Sequence, residues 1–138
     1  EGSVRTPPGT TVGLLEQDTT FPVPRRSARQ VYADQLGGLA ETVPLADLGL
    51  LRASELDRPV GELSVGQRRR LALALLVAHN PNVLLLDEPT NHISLTLADE
   101  LEEALRTSPG TVVVATHDRW QRRHWPGSHL RLHAGSPA

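Results

Sequence analysis

Two acids stand side by side at the end of a wholly apolar run. Val83-Leu84-Leu85-Leu86 is followed at once by Asp87-Glu88, and Pro89 closes the turn. Further on, Thr111-Val112-Val113-Val114-Ala115 ends just as abruptly on Thr116-His117-Asp118. Short apolar and β-branched runs bounded by turn residues read as buried strands of a parallel sheet. Ligand chemistry in such sheets gathers beyond the carboxyl ends of the strands. Two carboxylates and an imidazole at neighbouring strand ends therefore make one site by topology, with groups suited to holding a cation and moving a proton. A turn of small residues, Ser64-Val65-Gly66, leads with Gln67 into a helix, and a helix start is a ready anion site. A fourth polar group, Gln17, follows the short apolar run Val12-Gly13-Leu14-Leu15.

The elements that position these groups follow from pattern. The main helix is expected from Ser64 or Val65 to near His79. It is apolar all round from Leu71 to Ala78, as a helix buried between layers should be. Arg68-Arg69-Arg70 reads as a solvated face, although cations near a helix N-terminus oppose the macrodipole by about 0.3–1 kcal/mol each. Upstream, Glu1 to Thr11 is loop, and Phe21-Pro22-Val23-Pro24 is an extended connector. Ser27 caps a helix running to about Leu36, and Gly37-Gly38 stops it. Short helices are expected over Leu45–Leu50 and Ala53–Leu56, so Thr19 to Val60 reads as a small helical subdomain set into an α/β core. Downstream, Ser94 caps a helix over Leu95–Leu105 with Leu97, Leu101 and Leu105 as its stripe. A short amphipathic helix to His124, an edge strand over His129–His133 and a frayed tail from Gly135 complete the chain. Two apolar strands separated by a helix form a parallel βαβ unit, and the fold class is α/β.

Composition sets bounds. A chain of 138 residues builds one domain with a modest core. There is no Cys, which excludes disulfides and thiolate zinc sites and is compatible with a reducing compartment. The net charge of -2 gives no global basic field for nucleic acid. No apolar run approaches the roughly 20 residues of a membrane-spanning helix, and the expected location is cytoplasmic. His129 and His133 share a strand face about 13 Å apart, too far for one zinc. Trp120 and Trp125 read as core or interface packing. The chain has no Met and opens on Glu1-Gly2-Ser3, so it is read as a processed product or an internal piece of something longer.

The stretch from Leu63 to Asn91, LSVGQRRRLALALLVAHNPNVLLLDEPTN, resembles the signature helix, Walker B strand and catalytic glutamate of an ABC-type ATPase. The DEPTNH wording resembles the ABC-F branch, and the likeness extends from about Leu14 to His133. It implies a partial P-loop NTPase core with an inserted helical subdomain, divided as 1–18, 19–62, 63–134 and a tail at 135–138. It also implies roles. Gln17 matches the Q-loop glutamine, an Mg²⁺ ligand or water-orienting group, and Asp87 matches the Mg²⁺-organising carboxylate. Glu88 matches the general base and His117 the switch histidine. Ser64, Val65, Gly66 and Gln67 match the signature that binds ATP held by a second nucleotide-binding domain. Two positions depart from the family: Val65 stands where glycine is usual, and Ser94 where ABC-F members carry aspartate. A β-branched residue disfavours φ > 0, so that position either does not need it or the loop is altered.

One motif is missing. The GxxxxGK[ST] loop cradles phosphates with backbone amides and a lysine, and all 14 basic residues counted as Lys+Arg are Arg. In the family that loop precedes the Q-loop. The resemblance thus implies ATP and Mg²⁺ as cofactors of the intact protein and a fragment inactive by itself. Its partners would be a second nucleotide-binding domain and the ribosome, with a link to antibiotic resistance and no membrane insertion. Loss of a neighbouring strand would leave a sheet edge open to self-association. A transporter ATPase subunit and a non-catalytic interaction module are the alternatives.

Overall fold

The computed structural model describes residues 3–91, 94–96, 98, 99, 103, 110–133, 136 and 137. Three strands, β1 (Val12–Leu15), β2 (Val83–Asp87) and β3 (Thr111–Ala115), form a parallel sheet in the order β1-β2-β3. The register pairs Leu15 with Leu86 and Asp87 with Ala115, so the carboxyl ends of all three strands lie side by side. Asn82 fixes the opposite end. Its Oδ1 accepts from the Thr11 N–H and hydroxyl, and its own N–H donates to Thr11 Oγ1, all at 2.9 Å.

Between β1 and β2 the chain builds the helical subdomain: α1 (Ala28–Leu36), α2 (Leu39–Thr42), a 3-10 turn at Leu45–Leu48, α3 (Ala53–Leu56) and a second 3-10 turn at Val60–Glu62. Ser27 caps α1 in a reciprocal box with Gln30, the arrangement that satisfies two orphan donors of a helix start at once. Gly37, at φ 57, ends it. The expected helix over Leu45–Leu50 is a 3-10 turn stopped by Gly49 at φ 67, a conformation glycine adopts without a Cβ penalty. The single turn of α2 has no counterpart in the sequence pattern, because four residues carry no period.

The long helix α4 (Val65–His79) joins the two halves. Leu71, Ala74, Leu75 and Ala78 pack into the subdomain core with Val31, Tyr32, Leu36 and Leu56. Leu73, with Ala72 and Leu76, packs instead on Leu15, Leu84 and Leu86 of the sheet. Two cores on two sides explain every residue of the apolar stretch Leu71–Ala78 except Val77, which is exposed. Gly13 permits the close approach: a Cβ there would lie 2.8 Å from Leu76 Cδ2 and 2.9 Å from Pro81 Cγ. Asn80, at φ 46, caps the end of α4 with its N–H shared between Leu76 and Val77 carbonyls.

The opposite sheet face is uncovered among the described residues. Val12, Leu14 and Val113 are each about half exposed there. Among the described residues β1 and β3 are also paired on one side only. After β3, Asp118 caps a short helix, α5 (Arg119–His124), accepting from the N–H groups of Trp120 and Gln121. Trp120 is not a core residue; it is half exposed and its ring stacks on His124 at 4.3 Å.

Two expectations are corrected at the end of the chain. The strand expected over His129–His133 is only β4 (Leu132–His133), and it does not edge the parallel sheet. It pairs antiparallel with β5 (Ser136–Pro137), where a frayed tail was expected, because the backbones of Leu132 and His133 find partners in Pro137 and Ser136. The helix expected over Leu95–Leu105 falls largely outside the described residues, Leu97, Leu101 and Leu105 included; Leu95, Thr96, Ala98, Asp99 and Glu103 are helical. His92 and Ile93 also lie outside them. Among the described residues no helix is long and apolar enough to cross a membrane.

Candidate functional site

The carboxyl ends of β1, β2 and β3 frame an open cleft of about 420 Å³ lined by Gln17, Asp87, Glu88, Asn91, His117 and Asp118. Strand register explains the gathering. Asp87 is the last residue of β2, Gln17 lies two residues beyond β1, and His117 lies two beyond β3. Four of the residues picked out by their place at strand ends thus meet in one cleft.

Glu88 is held most firmly. Its side chain is only 12% exposed. Oε1 accepts from the His117 N–H at 2.8 Å, and Oε2 lies 3.4 Å from the Thr116 hydroxyl that donates to it. Its own N–H donates to the Ala115 carbonyl at 2.9 Å. The backbone at Glu88 has φ 47, a left-handed conformation that costs a non-glycine residue about 1–2 kcal/mol. These bonds tie Glu88 to the end of β3. The His117 imidazole is fully exposed, 3.8 Å from Glu88 Oε1. The Asp87 carboxylate receives no hydrogen bond among the described residues, so its oxygens remain available to a cation in the cleft.

Ser64, Val65, Gly66 and Gln67 do not line this cleft. Ser64 is the N-cap of α4. Its Oγ accepts from the Gln67 N–H at 3.1 Å while Gln67 Oε1 accepts from the Ser64 N–H at 2.8 Å, a complete capping box. The Ser64 proton is left free to donate. Val65 and Gly66 occupy the first helical positions, where N–H groups have no intrahelical acceptor. Val65 has no positive φ, so its backbone conformation does not call for glycine. Gln67 is committed elsewhere: its Nε2 donates to Glu55 Oε1 at 2.8 Å. Glu55 is buried, and its other oxygen accepts from the Arg52 N–H at 2.9 Å. Burial raises the Glu55 carboxyl pKa, but the hydrogen bonds from Arg52 and Gln67 and the charges of Arg70 and Arg52 outweigh it, so the net shift is downward.

The solvated-face reading of the Arg triplet fails, most plainly at Arg69, which is 2% exposed. Its Nη1 donates to the carbonyls of Glu16 at 3.0 Å and Gln17 at 2.6 Å. Its Nη2 donates to the carbonyl of Glu88 at 2.7 Å and to that of Asp87. Burial pulls its pKa down while Asp87, Glu88 and Asp18 raise it, with a net lowering; an arginine keeps its charge regardless. Nε has no partner. Arg68 donates to the Leu63 carbonyl, and Arg70 to that of Gly66. A signal for Arg69 was present. It shares the i, i+3, i+4, i+7 stripe with Ala72, Leu73 and Leu76, the face of α4 that meets the sheet.

A parallel sheet with an inserted helical subdomain, acids at one strand end and a capped helix start together define an ABC-type ATP-binding domain with a P-loop NTPase-like core. The chain belongs to the ABC transporter family, whose sequence model matches residues 3–91. Within it the chain is ABC-F-like. It is 43% identical over 132 residues to the tylosin resistance ATP-binding protein TlrC of Streptomyces fradiae, covering 93% of this chain and 24% of that protein. It is 39% identical over 98 residues to the energy-dependent translational throttle protein EttA of Mycobacterium tuberculosis, covering 63% of this chain and 18% of that one. In structure it is similar to the dimeric post-hydrolysis ATP-binding cassette MJ0796 bound to ADP and Pi. That likeness has a TM-score of 0.65 and 26% identity, over 79% of this chain and 53% of the other. The chain thus spans about a quarter of the first relative and about half of the solved cassette.

Proposed function

We propose that this chain is the part of an ABC-F-like nucleotide-binding domain that carries the Q-loop, signature helix, Walker B acids and switch histidine, and that the complete protein hydrolyses ATP. One observation carries the reading: Gln17, Asp87, Glu88 and His117 line one cleft while the Ser64–Gln67 turn lies outside it. That division fits composite sites, in which each domain lends its signature to nucleotide held by the other. The remainder of the domain would bring the phosphate-binding loop, absent from these 138 residues, and cover the bare sheet face. The outer strands β1 and β3, each paired on one side only among the described residues, would otherwise serve self-association.

The residues present fit the cofactors the family fold implies. Asp87, whose oxygens receive no hydrogen bond among the described residues, and the Gln17 amide oxygen would hold Mg²⁺, which takes few protein ligands and several waters. When bound, Mg²⁺ neutralises charge on the phosphates. Glu88 then orients the attacking water and takes its proton. The bonds from the His117 N–H and Thr116 hydroxyl restrain that carboxylate, and the exposed imidazole of His117 would donate toward the γ-phosphate. Ser64 Oγ–H and the N–H groups of Val65 and Gly66 present an anion site at the start of α4 to the opposing domain's ATP.

The relatives named for tylosin resistance and for a translational throttle support action on the ribosome in the cytoplasm, in preference to a transporter subunit or an interaction module. The test uses the full-length protein with Glu88→Gln, which keeps shape but removes the base. With ATP it should remain closed and cosediment with ribosomes. ATP-dependent recovery with a membrane partner instead, and none with ribosomes, would favour the transporter reading.

A further inference from the structure

Arg69 has a geometry that packing alone does not require. Its two terminal nitrogens divide their bonds evenly. Nη1 holds the carbonyls of Glu16 and Gln17 just beyond β1, and Nη2 holds those of Asp87 and Glu88 at the end of β2. One planar fork therefore fixes the spacing between the two strand ends that carry Gln17 and Glu88. A guanidinium is suited to this because its donors are rigidly arranged, whereas a lysine presents a single rotating point charge. The Glu88 carbonyl that Arg69 grips belongs to the left-handed residue at φ 47. Such conformations persist only where surrounding structure over-determines them. Here Arg69 holds the Glu88 carbonyl at 2.7 Å and Ala115 holds its N–H at 2.9 Å.

Arg69 also sits on α4, whose N-cap is Ser64, and Gln67 of the same first turns is tied to Glu55 of α3. The fork is thus rigidly linked to the turn that is read as facing the second domain's nucleotide.

Resting on the function proposed above, we infer that Arg69 is a positioning residue: it clamps the Gln17 and Glu88 strand ends into working register and couples the seating of the signature turn to the aim of the general base in the same domain. Signature contact displaces or steadies α4, α4 carries Arg69, and Arg69 carries the Gln17 and Glu88 carbonyls. The device needs no contact between Arg69 and nucleotide.

The test compares Arg69→Lys and Arg69→Ala with wild type in the full-length protein. Both should lower kcat, with ATP affinity held within a few-fold, because a misplacement of about 1 Å costs up to about 100-fold in rate. Amide hydrogen exchange should accelerate at Glu88 and His117, whose N–H groups bond Ala115 and the Glu88 carboxylate, while the interior of α4 stays protected. Added guanidinium ion should restore kcat and protection in the Ala variant. Should Arg69→Ala fold poorly, the Lys variant decides the matter. A Lys variant equal to wild type in kcat and in exchange overturns the inference. So does a loss of kcat that only tracks the folded fraction, with exchange rising evenly along the chain. The exchange measurement is independent of turnover. A protein without ATPase activity whose Glu88 and His117 amides still loosen in the variants would refute the proposed function and leave the clamp standing.

Discussion

Replacing Glu55 by Gln keeps shape but removes a charge and an acceptor. Glu55 is 5% exposed, and its two oxygens serve two donors, the Arg52 N–H at 2.9 Å and the Gln67 amide at 2.8 Å. A glutamine can offer oxygen to one of them and must turn its NH₂ toward the other. A hydrogen bond to a charged acceptor contributes about 1.5–3 kcal/mol, so the expected loss at pH 7 is about 2 kcal/mol. The pH dependence has a definite sign. The Glu55 carboxyl is held below its ordinary value in the fold. Its contribution is therefore fully present above the unfolded pKa, about 4.3, and fades as pH falls through the lower folded value. Unfolding free energies of the wild type and Glu55→Gln from urea titrations, taken from pH 7 downward, should differ by about 2 kcal/mol at neutrality and draw together as pH falls from about 4.3 through the lower folded value. A gap that persists undiminished in acid, or no gap at pH 7, would refute the account of Glu55 as an ionised link between α3 and the start of α4.

Ser64→Asp separates capping from anion binding. Aspartate caps as well as serine, so the unfolding free energy should change by less than about 0.5 kcal/mol, yet its charge should abolish ATP-driven pairing of the full-length protein in sedimentation; pairing that survives would remove Ser64 from the interface. Gly13→Ala introduces a Cβ 2.8 Å from Leu76 and 2.9 Å from Pro81. Overpacking of that kind costs about 1–3 kcal/mol, read as a lowered urea midpoint, and an unchanged midpoint would contradict the close seating of α4 on β1.

Much of this fold and site was legible because the signals are local. Val83–Leu86 and Thr111–Ala115 announce strands by type and length, and the parallel register then brings Asp87, Glu88 and His117 together without further information. Ser27 and Ser64 announce helix starts through the Gln three residues on, and both boxes are present. What sequence did not yield depends on tertiary contact. Arg69 is chemically the same as Arg68 and Arg70, and only its place on the stripe of Leu73 and Leu76 marks it as inward. Nothing near Glu55 in sequence reveals that Gln67 will reach it, and nothing near Gln121 reveals a buried amide whose oxygen and nitrogen both lack partners among the described residues. The β4–β5 pairing escaped for a different reason: two-residue strands carry no alternation to read.

The central claim is that Glu88 is the base of an ATP-hydrolysing site. Glu88→Gln should leave the fold intact, since its oxygen can keep the His117 N–H and the Thr116 hydroxyl can turn to accept from the new amide. The measurement is steady-state ATP hydrolysis by the full-length protein, with the companion site disabled, alongside equilibrium ATP binding. The account predicts a fall in turnover of about 10²–10⁴-fold with binding retained. Hydrolysis unchanged in the variant under those conditions would contradict it.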